Sequence, residues 1–395
     1  MMFVGKNLTN IRILYGLSID ELADRVKVNG HRIWQIECNY VMPTFEEISR
    51  FSDLFEVRRK YFIKNDFLEN EVEANLIAYR SDTINDSYQV IEEAKHLAFI
   101  DALLKPIESC VVLPPSKILS MREYAIDLMN QRFEKSSTEE IIREIADYSR
   151  AVFGLKDNNN HLMFHMENSG IIILEKAVGE KADAYSTWID DSKPLIMLGN
   201  QKKVSVRRNF DLAHELGHLL LHYMKDVRTK DKKRENKLEQ EANLFASCFL
   251  LPDHAFKKDF LQIKSLTNPD SYLVLKEKWL VSIQAIAFRA NKLGLLEYDK
   301  YRRFNMAINR KGYKKREPLD DKLPLVKPAR LKSLFDIVFT NELSLDEFLR
   351  KYSIEVGFLT RIFGFEAAFL VKYLNESNSF GITKKTNVNF YSKNK

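Results

Sequence analysis

The chain has 395 residues, of which 45% are hydrophobic, 11% aromatic and 29% charged, a balance that excludes collagen-like, low-complexity and wholly disordered classes and leaves room for two or three folded domains. Its net charge is +6, from 61 Lys and Arg against 55 Asp and Glu, and the excess is local: positions 300–330 hold 11 basic and three acidic residues. No apolar run approaches the roughly 20 residues of a membrane span, the N-terminus lacks the hydrophobic stretch of a secretory signal, and Cys38, Cys110 and Cys248 have no CxxC spacing, so we expect a reduced, cytoplasmic protein without membrane contact, disulfide framework or cysteine zinc ribbon.

Residues 6–62 carry the spacing of five short helices, within a domain placed at 1–65. Ser18 caps a helix with Asp20 and Glu21 in its first turn, Asn29 caps the helix Gly30 to Glu37, and Pro43 and Thr44 open the next. Residues 66–136 read as an amphipathic connector, helical to about 108 with Leu76 and Tyr79 on its apolar stripe, and as the start of the following region. The capping box Ser137 to Glu140 opens a helix that ends near Phe153, and short β-rich runs at Ile171 to Ala177, Ala184 to Ile189 and Leu195 to Leu198 predict a small sheet. Two long helices follow, about Val206 to Tyr223 and about Asn236 to Leu250, completing a domain over 137–300. Beyond it we expect a basic linker at 301–330, a helical C-terminal module at 331–374 and a polar, disordered tail at 375–395. The fold class is α+β and mostly helical.

The strongest chemical signal is His214-Glu215-Leu216-Gly217-His218, an HExxH inside an apolar helical stretch. Residues four apart stand above one another on a helix, so both imidazoles can reach a single Zn2+, and Glu215 is placed to hold and deprotonate a water there. His222 lies eight residues beyond His214, roughly 12 Å along the axis, too far to share the metal, and is left to a supporting or structural role. The third ligand is sought on the next helix, where Glu239 is preferred to Glu241: Asn243, one turn beyond Glu239, can orient a ligand, whereas Glu241 points about 200° away, toward solvent or the basic run at 230–237. Tyr185, His254 and Arg289 are candidate donors to an oxyanion, and the sequence does not rank them.

RRNFDLAHELGHLLLH (Arg207 to His222), EQEANLFASCFLLP (Glu239 to Pro252), DAYSTW (Asp183 to Trp188) and KEKWLVSIQAIAFRANKLGLL (Lys276 to Leu296) together resemble the ImmA/IrrE family of zinc metallopeptidases, relatives of the gluzincins, over about 70–300. That resemblance implies His214, His218 and Glu239 as zinc ligands, Glu215 as general base, and cleavage of a helix-turn-helix repressor in stress response, mobile-element control or phage defence. The N-terminal LSIDELADRVKVNGHRIWQIECNYVMPTFEEISRFSDLF resembles the lambda-repressor-like, or XRE, helix-turn-helix, with Lys27 where that family often has Gly and Gly30 at the start of the recognition helix. This second resemblance nominates Asn29, His31, Arg32 and Gln35 for contact with DNA. A repressor or antitoxin is the expected partner, as substrate or inhibitor, and a homodimer is allowed. Two other readings stand beside the peptidase: a DNA-binding regulator with a structural or sensing zinc, and the toxin of a toxin-antitoxin pair.

Overall fold

The computed structural model describes residues 2–63, 67–68, 78–79, 87–132, 135–176, 184–199, 204–223, 232–374 and 386–387. The chain forms two compact units, one from Met1–Ile77, Ser81–Pro114 and Ala329–Lys395, the other from Ala78–Arg80 and Pro115–Pro328.

The first unit begins with α1 (Gly5–Leu14), α2 (Ile19–Val26), α3 (Gly30–Glu37), α4 (Phe45–Phe55) and a 3-10 turn at Arg59–Phe62. Capping boxes at Ser18/Glu21 and Thr44/Glu47 fix the starts of α2 and α4 by satisfying N–H groups that have no partner within the helix. Leu8, Ile11, Leu22, Ile33, Ile36 and Phe51 fill the core, and a buried Arg12–Glu37 ion pair joins α1 to α3. The two departures from the XRE pattern have local causes. Lys27 ends α2 in the left-handed region, at φ +57°, where glycine is the usual choice. At Gly30 a Cβ would lie 2.3 Å from the Asp20 carboxylate, so a larger residue there requires the Asp20 side chain to turn aside.

A two-residue strand β1 (Ala78–Tyr79), which belongs to the second unit, precedes α5 (Ser87–Glu108) of the first. Tyr79, expected on a helical stripe, is thus in a strand, while Leu76 lies outside the described residues. After β2 (Val111–Val112) the second unit continues with α6 (Lys117–Arg132), α7 (Thr138–Phe153), α8 (Leu162–Asn168), β3 (Ile172–Lys176), β4 (Ala184–Trp188) and β5 (Pro194–Gly199). Next come α9 (Ser205–Leu221) and α10 (Lys232–Leu250), then α11 (Asp253–Phe260), α12 (Leu273–Trp279), α13 (Ile283–Lys292) and α14 (Tyr298–Arg310). The sheet has the order β1-β4-β5-β3, with β4 antiparallel to β1 and β5, and β3 parallel to β5.

From Asp211 to Leu221 every residue of α9 is buried, because the helix is covered on several sides, by β4, α10 and α6. The C-terminal carbonyls of α10 are answered by side chains rather than by further helix: Arg150 Nη1 donates to Phe249 O at 2.6 Å, Asn159 Nδ2 to Leu250 O at 2.9 Å, and Arg289 Nε to Leu251 O at 3.2 Å. Asn159 also donates to Trp279 O at 2.6 Å, so the Asn-rich loop locks α10 to the turn after α12.

The basic stretch 301–330, read as a linker, is structured. Its first part lies in α14, and the segment after it is strapped down by a buried ion cluster in which Lys276 Nζ donates to Glu317 at 2.9 Å and Asp320 at 2.5 Å. Glu317 in turn accepts the N–H groups of Ile283 and Gln284, which open α13. On either side of this cluster, Arg207 donates to Lys315 O at 2.8 Å and Arg208 to Val326 O at 2.9 Å.

The first unit is completed by α15 (Arg330–Asn341), α16 (Leu345–Tyr352), α17 (Val356–Phe363) and α18 (Ala367–Val371), with β6 (Thr386–Asn387) parallel to β2. His96 of α5 bonds to Ile362 O at 2.7 Å, Arg58 pairs with Glu355, and Phe358 meets the rings of Tyr61 and Phe99, which seats this C-terminal module on the N-terminal helices. The expected disordered tail lies outside the described residues apart from β6.

Candidate metal centre

The HExxH stretch is helical because Leu212, Ala213, Leu216, Leu219 and Leu220 fill the core around it, leaving His214, Glu215 and His218 as polar groups inside an apolar shell. Helical spacing brings His214 Nε2 to 3.0 Å from His218 Nε2. The antiparallel approach of α10 then adds Glu239, whose two carboxylate oxygens lie 3.4 Å from His214 Nε2 and 3.1 Å from His218 Nε2. These three residues are the His/Cys/Asp/Glu group able to hold a metal ion among the described residues, their ligand atoms lying within 4.8 Å of one another. Donors at about 2.0–2.1 Å from a tetrahedral zinc are about 3.3 Å apart, so two imidazoles and one carboxylate at these spacings fit that ion with little rearrangement.

Close contact of the two helices depends on Gly217, where a Cβ would meet Phe245 Cδ1 at 3.1 Å and Ala242 Cα and O at 3.3 Å. Burial pushes the Glu239 carboxyl up, but hydrogen bonds with the two imidazoles and their charge outweigh it and hold the group well below the usual carboxylate range. Glu215 is 1% exposed, and its Oε2 has no hydrogen-bond partner among the described residues. A buried, unpartnered carboxylate oxygen is costly unless it has work to do, and this one sits next in sequence to a candidate ligand. Its backbone carbonyl accepts from Ser186 Oγ at 3.3 Å, which ties β4 to α9 at that residue.

The far sides of the imidazoles are engaged as well. His214 Nδ1 is 3.1 Å from Asn243 Oδ1, the orienting contact expected from Asn243. His218 Nδ1 is 3.0 Å from His222 Nδ1, and His222 Nε2 is 3.0 Å from Glu241 Oε2. Glu241, expected toward solvent or the basic run, meets the run through one oxygen, 3.9 Å from Lys237 Nζ, but turns the other inward to His222.

A cavity of about 730 Å³ is lined by Phe210, Asn243, Leu244, Gln284 and Phe288 among others, and the Phe210 ring stacks 6.2 Å from that of His214. A smaller hollow of about 310 Å³ shares Phe210, Val281 and Ala285 with it. Of the three oxyanion candidates, Tyr185 is fully buried in β4, His254 is exposed on α11, and Arg289 is committed to Asp253 and Leu251 O.

The four residues nominated for DNA contact lie together on α3, in the first unit. Asn29 accepts from Arg32 N as the helix cap, and Arg32 forms a two-pronged pair with Glu47 at 3.0 Å and donates to Met42 O. His31 is exposed and stacks on Trp34, which meets Tyr40 in turn; Gln35 is half-buried. Helical spacing allows Trp34 to pack inward beside Ile33 and Ile36; instead it is 42% exposed and, with Tyr40, gives this face its aromatic character.

Residues 166–291 match the family model of the IrrE N-terminal-like domain, Peptidase_M78. No curated protein matches the chain. The matched residues include α9, α10 and all three members of the triad, so the family similarity and the geometry fall on the same part of the molecule and support a metallopeptidase of the ImmA/IrrE type.

Proposed function

We propose that the second unit is a zinc-dependent, site-specific endopeptidase whose substrate is a helix-turn-helix transcriptional repressor. The observation that carries the reading is the convergence of the ligand atoms of His214, His218 and Glu239 to 3.0–3.4 Å, with Glu215, next in sequence to His214, keeping a buried carboxylate oxygen that has no partner among the described residues. Zinc held there would polarise the scissile carbonyl and acidify a water. Glu215 Oε2 accepts the proton of the attacking water and returns it to the leaving amine. The apolar shell excludes other water from this transfer, and the cavity lined by Phe210 and Asn243, the two residues that contact His214, offers room for an apolar substrate side chain. The substrate strand or loop lies against the small sheet, whose edge strands are β1 and β3.

The N-terminal helices guide this unit to DNA or to the repressor itself. Engagement of Asn29 and Arg32 inside the fold, with His31, Trp34 and Tyr40 exposed, supports the protein partner over direct base reading. The test is mass spectrometry of the helix-turn-helix protein encoded nearest to this chain, after incubation with zinc-loaded wild type or Glu215→Gln. Defined fragments with the wild type alone are expected. Intact substrate with both, at equal zinc content, would favour a regulator whose metal is structural.

A further inference from the structure

His218 is one end of a buried file of side chains that runs away from the candidate metal centre. His218 Nδ1 faces His222 Nδ1 at 3.0 Å, and His222 Nε2 faces Glu241 Oε2 at 3.0 Å. The His218 and His222 side chains are 3% and 0% exposed and that of Glu241 16%, so little water competes for these bonds. If Nε2 of His218 is to face a metal ion it must be bare, which places its proton on Nδ1. Two Nδ1 atoms at hydrogen-bond distance need one donor and one acceptor, so His222 Nδ1 accepts and its proton sits on Nε2, aimed at the carboxylate of Glu241.

We infer that His222 and Glu241 are positioning residues for the metal centre: Glu241 fixes the tautomer of His222, and His222 fixes the tautomer and ring orientation of His218. This inference rests on the proposed zinc site and adds a one-way relay to it. The other histidine uses a different and shorter support, His214 Nδ1 to Asn243 Oδ1 at 3.1 Å. The two branches start from different ligands and share no residue, whereas His222 and Glu241 lie in series on one branch. Series members lose the same contribution whichever is removed, while members of separate branches add.

The test is the zinc dissociation constant of the full-length chain, measured by chelator competition, with the unfolding midpoint of each zinc-free variant alongside. His222→Leu removes the acceptor, and a loss of about 10- to 100-fold in zinc affinity is expected. His222→Asn keeps an amide oxygen near the Nδ1 position and should recover most of that loss. Glu241→Leu should weaken binding on its own but add almost nothing to His222→Leu, whereas Asn243→Leu should multiply with either. A role confined to packing predicts instead that the zinc-free unfolding midpoint falls in step and that His222→Asn rescues nothing. Unchanged zinc affinity in His222→Leu, or losses from His222→Leu and Glu241→Leu that multiply, would overturn the relay while leaving the zinc site standing. Wild type that binds no zinc would overturn both.

Discussion

Gly217 has no part in the proposed chemistry, yet it sets how closely α10 approaches α9 and therefore where Glu239 stands. In Gly217→Ala the new Cβ would meet Phe245 Cδ1 at 3.1 Å and Ala242 Cα and O at 3.3 Å, against an ordinary contact of 3.4–4 Å. Two of these three atoms belong to backbone and cannot swing aside, so α10 must move out by a few tenths of an ångström. Ala242 is three residues from Glu239 on the same rigid helix, and the carboxylate moves with it. Ligand distances in a metal site tolerate only about 0.2 Å, so zinc affinity should fall although no ligand has changed. Stability has two opposing terms: alanine improves helix propensity by about 1 kcal/mol, and overpacking costs about 1–3 kcal/mol. The net expectation is a zinc-free protein destabilised by roughly 0–2 kcal/mol with a disproportionate loss of zinc binding. Urea unfolding and chelator competition on the same preparation separate the two effects. A variant about 1 kcal/mol more stable, with wild-type zinc affinity, would refute the claim that this contact positions Glu239.

Other contacts in the structure carry expectations of their own. Lys276→Met leaves the Glu317 and Asp320 carboxylates buried without their ammonium, which should cost about 3–5 kcal/mol and expose residues 311–328 to trypsin; wild-type stability and resistance would show that the strap is held by other contacts. In the first unit, the Arg32 guanidinium holds the Glu47 carboxyl below its ordinary value, so this pair contributes stability that is present above the unfolded-state pKa and lost as the pH falls through the folded one. Arg32→Ala should therefore lower stability by up to about 1 kcal/mol at pH 7 and by progressively less as the pH falls through the folded-state value, read by urea unfolding across that range; a loss that does not change with pH would exclude the charge pairing as the cause. Trp34→Ala should weaken capture of the repressor protein more than it weakens binding to DNA in a gel-shift assay, and the opposite ranking would return the α3 face to nucleic acid.

What the sequence disclosed depended on the range of the interaction. The capping box at Ser137, the strands around Ile173, Tyr185 and Ile196, and the long helix bearing His214 follow from local pattern, and each lies close to its expected bounds. Spacing along one helix also foretold that His214 and His218 would meet and that His222 would not reach the same point. Glu241 was harder to read, because helical angle says which way a residue faces on its own helix and nothing about a neighbour 19 positions away in the chain. The strap after α14 was hidden for a related reason: Glu317 and Asp320 sit among many basic residues, and only the fold brings the buried Lys276 to them. Tyr79 had the apolar spacing of a helix, but its pairing with Tyr185 is a tertiary contact that local spacing does not encode.

Equilibrium zinc binding tests most directly whether His214, His218 and Glu239 together form a zinc site. Wild type should retain stoichiometric zinc after dialysis against a weak chelator, and Glu215→Gln should do the same. His214→Ala, His218→Ala and Glu239→Ala should each lose it while their circular dichroism shows the fold intact. Zinc retained in all three alanine variants, or absent from wild type, would contradict the claim.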